Sequence, residues 1–253
     1  MDKNINEIKY HLGNSSEKFN IIYFDEIDST NSFGKRECEK LCHNTVIIAD
    51  KQTNGRGRQG RSFHSPRNNG IYMSIIAKKE FLPKDISLIT IAVASCVCRA
   101  IEKLYNIKVG IKWVNDIFVN SKKICGILCE NALDSIIIGI GVNTGSTDDF
   151  PDELKGIAGA LNIDSEEKNR LISEILNEFL KLDSENYYKK DLEYYREKSI
   201  VLGRNIMYIK NGEEKKAYVR EINEKGNLVV INEKGEESVI LSGEIRLGID
   251  NIL

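Results

Sequence analysis

Residues 51 to 67, KQTNGRGRQGRSFHSPR, constrain the chain more than any other stretch because they suit neither a helix nor a strand. Gly55, Gly57 and Gly60 alternate with Arg56, Arg58 and Arg61, and Pro66 blocks a helix that starts inside the segment. With Lys51 and Arg67 it holds five basic and no acidic residues among seventeen. The formal net charge of the whole chain is only -2, so positive charge is concentrated in one flexible loop. Glycines let backbone N–H groups approach a bound group, and guanidinium forks take phosphate or carboxylate oxygens two at a time. The segment is read as a site for a multiply charged anion, a nucleotide foremost.

Rival readings of the loop fare worse. Disordered Arg/Gly tails sit at termini and run longer, whereas this segment lies between two apolar stretches. The three glycines also satisfy G-x-G-x-x-G, but a dinucleotide loop needs a helix opening at the third glycine, and Arg61 to Pro66 does not supply one. A kinase loop needs H-R-D and D-F-G downstream, and both are missing from the sequence.

At 253 residues the chain can bury roughly 70 to 75 per cent of its unfolded surface, enough for one sizeable core and a small second domain. A pI near 6.0 argues against general attraction to nucleic acid or membrane. No stretch reaches the apolar length of a membrane span, and the polar start lacks a signal-peptide core, so the expected location is the cytoplasm. Cys96, Cys98, Cys125 and Cys129 fall in apolar periodic segments and read as small buried hydrophobes. Cys38, Cys42 and His43 form the one tight cluster, and no metal site is expected there.

In chain order, residues 1 to 19 suffice for one short helix, and NIIYF at 20 to 24 is a strand. Asp28 or Ser29 caps a helix reaching about Leu41. Ser29, Thr30 and Asn31 therefore stand at a strand-to-helix junction, as a plain cap or as binders of a polar ligand head. TVIIAD at 45 to 50 is a strand that delivers the chain to the basic loop, and Gly70 to Ala77 is another. Residues 86 to 104 are apolar over most of a helix circumference and are expected to form the buried central helix. Four strand-like pieces follow: Val109 to Val114, Asp116 to Asn120, Lys123 to Glu130 and Ser135 to Asn143. The first two enclose Lys112, Trp113, Asn115 and Asp116, of which Trp113 reads as core. Residues 165 to 195 read as one or two helices. Turns at Asn211-Gly212, Lys225-Gly226-Asn227 and Lys234-Gly235 then mark hairpins, expected to close a small β-barrel.

Taken together, STN at 29 to 31, GRGRQGR at 55 to 61, KWVND at 112 to 116, KKICGIL at 122 to 128 and GIGVN at 139 to 143 closely resemble the biotin protein ligases in order and spacing. SGEI at 242 to 245 resembles that family's C-terminal domain. The resemblance implies an α+β fold, a mixed sheet backed by helices, with a catalytic domain over 1–198 and an SH3-like barrel over 199–253. It also implies activation of biotin by MgATP as biotinyl-5'-adenylate and transfer to a lysine of a biotin carboxyl carrier protein. By family pattern Ser29, Thr30, Asn31 and Gln52 hold the head of biotin, and Arg56, Gly57 and Arg58 close over its carboxylate and the adenylate phosphate. Gly55, Arg61 and Asn143 belong to the nucleotide site, and Lys123 sits near the reacting oxygens. Lys112, Asn115 and Asp116 contact nucleotide, metal or incoming lysine, and Asp116 is the candidate to accept that lysine's proton.

The sequence departs from the family at Val114, where proline is usual, at Phe63, often tryptophan, and at Gly248, near which an arginine is expected; either Arg246 substitutes for it or that contact is missing, and neither residue is assigned to the site. Members with an N-terminal DNA-binding domain repress biotin genes; room for one is lacking, so no direct DNA binding is expected, while open sheet edges leave a homodimer to be considered. A lipoate ligase shares the fold and the adenylation logic, and a nucleic-acid module built on the basic loop is the rival from another class.

Overall fold

The computed structural model describes residues 3–82, 86–183, 185–210 and 212–247. Its organising element is a seven-stranded sheet of order β1-β2-β3-β7-β6-β5-β4. The strands are β1 (Asn20–Phe24), β2 (Thr45–Ala49), β3 (Gly70–Lys78), β4 (Gly110–Lys112), β5 (Asp116–Val119), β6 (Lys122–Ala132) and β7 (Ser135–Asn143). Only β1 and β2 run parallel, and every other pairing in this sheet is antiparallel.

Because side chains alternate along a strand, the sheet has two chemically distinct faces. Ile136, Ile138, Ile140 and Val142 of β7 join the main core with helix α3 (Ile86–Tyr105), which is apolar almost all round as the sequence requires. Helices α4 (Ser165–Phe179) and α5 (Glu185–Lys198) pack on α3, and α1 (Lys3–Leu12) packs on α4 through Ile8 and Leu12. The opposite face carries the short helix α2 (Thr30–Glu37), over a small cluster of Cys38, Ile47, Ile76 and Ile137. Beyond that cluster the same face is not filled. Register places Ser74, Gly139 and Leu128 in one row and Tyr72, Gly141, Gly126 and Asp116 in the next. Glycines in the middle of a sheet thus leave a hollow beside α2.

The C-terminal strands β8 (Asn205–Lys210), β9 (Glu213–Ile222), β10 (Leu228–Asn232), β11 (Glu237–Ile240) and β12 (Ile245–Leu247) form an antiparallel sheet of order β11-β10-β9-β8-β12. Its apolar side chains, among them Ile206, Val219 and Val230, are continuous with the main core.

Two expected elements are shorter in the structure. Helix α2 ends at Glu37 rather than Leu41, and turns carry the chain to Asn44, at φ 60, before β2. The strand expected over 109–114 is ordered as a strand only at 110–112, because Trp113 to Asn115 make the turn into β5. The turn expected at Asn211-Gly212 includes Asn211, which lies outside the described residues. Among the described residues no helix is long and apolar enough to cross a membrane.

Candidate active site

The hollow beside α2 is walled by polar groups whose bonds are nearly all committed. Ser29 caps α2 from an extended backbone, its Oγ accepting from Ser32 N at 3.4 Å. Behind it Thr30 and Asn31 are buried, which requires partners. Gln52 Oε1 accepts from Thr30 N at 2.9 Å and Thr30 Oγ1 at 3.2 Å, and Gln52 Nε2 donates to Ser65 Oγ at 2.9 Å. Ser74 Oγ donates to Asn31 Oδ1 at 2.6 Å, and Asn31 Nδ2 donates to Leu128 O at 3.2 Å and Glu130 Oε2 at 3.1 Å. The glycines make this possible. A Cβ on Gly139 would meet Asn31 Oδ1 at 2.3 Å, and one on Gly141 would meet the Phe63 ring at 2.6 Å. Phe63 itself stands edge-on to Tyr72, with ring centroids 6.3 Å apart.

The basic loop rises over this hollow and is held by its own backbone. Gly57 N donates to Arg61 O at 2.7 Å and Phe63 N to Gly55 O at 2.9 Å, with Gln59 in the left-handed region at φ 54. The segment expected to be flexible is thus a hydrogen-bonded excursion, and its arginines reach different parts of the fold. Arg56 pairs with Glu130 at 3.0 Å, Arg58 donates to Asn115 Oδ1 at 3.0 Å, and Arg61 pairs with Glu244, which precedes β12. Asn115 is fixed in turn by Ile127, whose carbonyl accepts from Asn115 Nδ2 at 3.0 Å.

Beneath the loop lies a charged cleft. Lys123 Nζ stands 2.8 Å from Asp116 Oδ1, an ion pair off hydrogen-bond geometry, so that oxygen is buried without a directional donor. Lys112, facing Asp116 across the β4–β5 pairing, is mostly buried, and burial pushes its pKa down against the opposing pull of Asp116.

Arg56, Gly57, Arg58, Arg61, Lys112, Asn115, Asp116 and Lys123 therefore meet around one cleft. Ser29, Thr30, Asn31 and Gln52 wall the adjoining hollow, to which Arg56 and Phe63 also contribute. Gly55 and Asn143 lie apart, in a third cleft that Lys123 borders and that Phe150, Pro151 and Leu154 wall with apolar surface. There Asn143 Nδ2 donates to Gly159 O at 2.9 Å. Trp113 is core, as read from the sequence, its Nε1 donating to Gly226 O at 2.9 Å. The Trp113–Val114 peptide is cis. Arg246 is exposed, with its nearest carboxylate, Glu214, 3.9 Å away, and it borders none of these three clefts. Gly248 lies outside the described residues. Cys96, Cys98 and Cys125 are buried free thiols, Cys129 is partly buried, and Cys42 is exposed. Ser74 and Glu130 were missed in the sequence. Their one signal is position, since both share the strand face on which the glycines of β6 and β7 fall.

Residues 22–143 match the model of the biotin/lipoate A/B protein ligase family, a span that includes the residues lining the three clefts except Gly243, Glu244, Ile245 and those of the 150–158 segment. Over these residues the chain carries a biotin/lipoate A/B protein ligase domain. The bifunctional ligase/repressor BirA of Bacillus spizizenii is 40% identical over 173 residues, covering 64% of this chain and 52% of that protein. The biotin–(acetyl-CoA-carboxylase) ligase of Mycobacterium tuberculosis is 25% identical over 210 residues, covering 79% and 77%. The chain spans about half the length of the first curated relatives it matches. Among solved structures, the biotin protein ligase from Aquifex aeolicus in complex with biotin and ATP superposes with a TM-score of 0.78 at 28% identity, covering 90% of this chain and 98% of that one.

Proposed function

We propose that the chain is an ATP-dependent biotin protein ligase, which joins biotin to ATP as biotinyl-5'-AMP and passes the biotinyl group to a lysine of a biotin carboxyl carrier protein. One observation carries the reading: Lys123 stands where the three clefts meet. Its ammonium pairs with Asp116 in the charged cleft, borders the Asn143 cleft, and lies 3.4 Å from where a Cβ on Gly126, in the wall of the polar hollow, would sit. A carboxylate projecting from the hollow and a phosphate arriving from the apolar-walled cleft would meet at that ammonium.

In the first step a carboxylate oxygen attacks the α-phosphorus and pyrophosphate leaves. Two anions must approach, and Lys123, Arg58 and Lys112 supply the opposing charge from fixed positions. Ser29, Thr30, Asn31 and Gln52 hold the acid's polar head, and Arg56 and Gly57 close over it. Arg61 and Asn115 stand on the nucleotide side with Gly55 and Asn143. In the second step a neutral lysine amine attacks the acyl carbon and AMP leaves, with Asp116 taking the proton. Asp116 would be the carboxylate to contact a magnesium ion carried by ATP, which would supply charge neutralisation of the phosphates. Among the described residues no cluster of three His, Cys, Asp or Glu side chains offers a separate metal site.

Biotin is preferred to lipoate because similar proteins are named biotin–(acetyl-CoA-carboxylase) ligase and the solved Aquifex neighbour holds biotin and ATP. We also propose that residues 1–198 are the catalytic unit and 199–253 an accessory domain that contributes Glu244, in a protein working in the cytoplasm. Pyrophosphate exchange into ATP tests the reading, with biotin and lipoate in parallel on the wild type and on Arg58→Ala. Exchange that needs biotin, ignores lipoate and collapses in the variant is the expected result. Exchange with lipoate alone would reassign the pocket, and none with either acid would return weight to a nucleic-acid-binding loop.

A further inference from the structure

Glu130 has no part in the reaction as written above, yet three donors converge on its carboxylate. Lys35 Nζ at 3.2 Å and Arg56 NH2 at 3.0 Å meet Oε1, and Asn31 Nδ2 at 3.1 Å meets Oε2. Asn31 and Lys35 lie one helical turn apart on α2, Arg56 is the first arginine of the basic loop, and Glu130 stands on β6. One carboxylate therefore ties the floor of the polar hollow, the helix beside it and the loop above it. Arg56 NH2 is engaged by that carboxylate, whereas Arg58 donates to Asn115 and Arg61 pairs with Glu244.

We propose that Glu130 and Arg56 form a clasp that holds the basic loop down over the acid pocket, so that Arg56 works as the loop's tether rather than as a ligand of phosphate. The proposal rests on the ligase reading for what the loop encloses. The geometry suits a contact that opens and closes. When Arg56 leaves, Glu130 keeps Lys35 and Asn31, so no bare charge is stranded in a side chain only 15% exposed. Arg56 is 40% exposed, so the pair holds weakly enough to release on each turnover. An acyl adenylate enclosed by such a loop would escape or hydrolyse at a rate set by the clasp.

The test uses Arg56→Gln, Glu130→Gln and the double variant, with two readouts. In the first, preformed biotinyl-5'-AMP is chased and its release timed. Each single substitution should speed release roughly two- to fivefold, the range of a half-exposed ion pair, and the double variant should be no faster than the singles because all three break one contact. Effects that multiply in the double variant would overturn the clasp. So would an Arg56→Gln that leaves release unchanged and raises the KM for ATP. The second readout is amide exchange of residues 55–62 without ligand, where the same non-additive rise is expected. If the wild type forms no adenylate, the ligase reading fails, while amide exchange still decides the clasp: equal, non-additive rises uphold it, and unchanged exchange sinks it.

Discussion

Asn31 Oδ1 occupies the space that a Cβ on Gly139 would need, 2.3 Å from its ideal position. The amide cannot step aside, since Ser74 donates to its oxygen and Leu128 O and Glu130 accept from its nitrogen. Gly139→Ala is therefore expected to displace Asn31 from the pocket wall, at about 1–3 kcal/mol of overpacking. Biotin affinity should fall at least about tenfold, which takes roughly 1.4 kcal/mol, with ATP affinity far less affected. Titration calorimetry with each ligand, beside urea unfolding, checks both halves; unchanged biotin binding would remove Asn31 from the pocket.

How much of this was legible in the sequence varies with the range of the interaction. The loop announced itself because arginine and glycine alternate within a few residues, and α3 because a helix apolar almost all round has few places to go. The glycines of GIGVN were visible too, though what they make room for was not, because Asn31 and Phe63 lie far off in sequence and reach β7 only once β3, β6 and β7 are in register. Glu130 was invisible for the same reason: a carboxylate on a strand reads as a solvated face until a helix and a loop are brought to it. Asn143, grouped with the other site residues by its motif, instead borders a separate cleft, because β7 carries it past the row that faces the charged residues.

The Asp116–Lys123 pair gives the second step its own test. Asp116→Asn removes the charge 2.8 Å from Lys123 and the pull that opposes the burial-driven fall in the Lys112 pKa. Transfer from preformed adenylate to carrier should slow by about a hundredfold or more, the usual range for a lost general base, with adenylation less affected. Single-turnover measurements of each step separate the two, and transfer at the full rate would show that Asp116 is not the proton acceptor.

Trp113 couples the charged cleft to the C-terminal sheet. Its Nε1 donates at 2.9 Å to Gly226 O, in the left-handed turn between β9 and β10, where a Cβ would also strike Ile91 Cδ1 at 2.3 Å. Trp113→Phe keeps an aromatic filler and deletes the donor, leaving a buried carbonyl unsatisfied at a cost of about 1–3 kcal/mol. The expected result is a lowered unfolding midpoint and faster proteolysis of the C-terminal strands. A midpoint equal to wild type would mean that the carbonyl finds another donor.

The helical layer behind the sheet holds a titration that stability measurements should detect. Asp191 of α5 is buried, and burial raises its pKa from 3.8 to about 6 even though Arg99 donates to its Oδ1 at 2.8 Å; its Oδ2 has no hydrogen-bond partner. Between those two values the folded protein holds a proton that the unfolded chain has lost, so stability falls as pH rises through the window and levels off above about 6. At about 1.4 kcal/mol per pH unit the loss is at most about 3 kcal/mol. Asp191→Asn cannot titrate and keeps an oxygen for Arg99. The stability of wild type minus that of the variant, from urea unfolding across the window, should therefore decrease from about pH 4 to about pH 6 and stay flat beyond. A difference that climbs with pH would mean that the Arg99 pair outweighs burial and that Asp191 is ionised throughout.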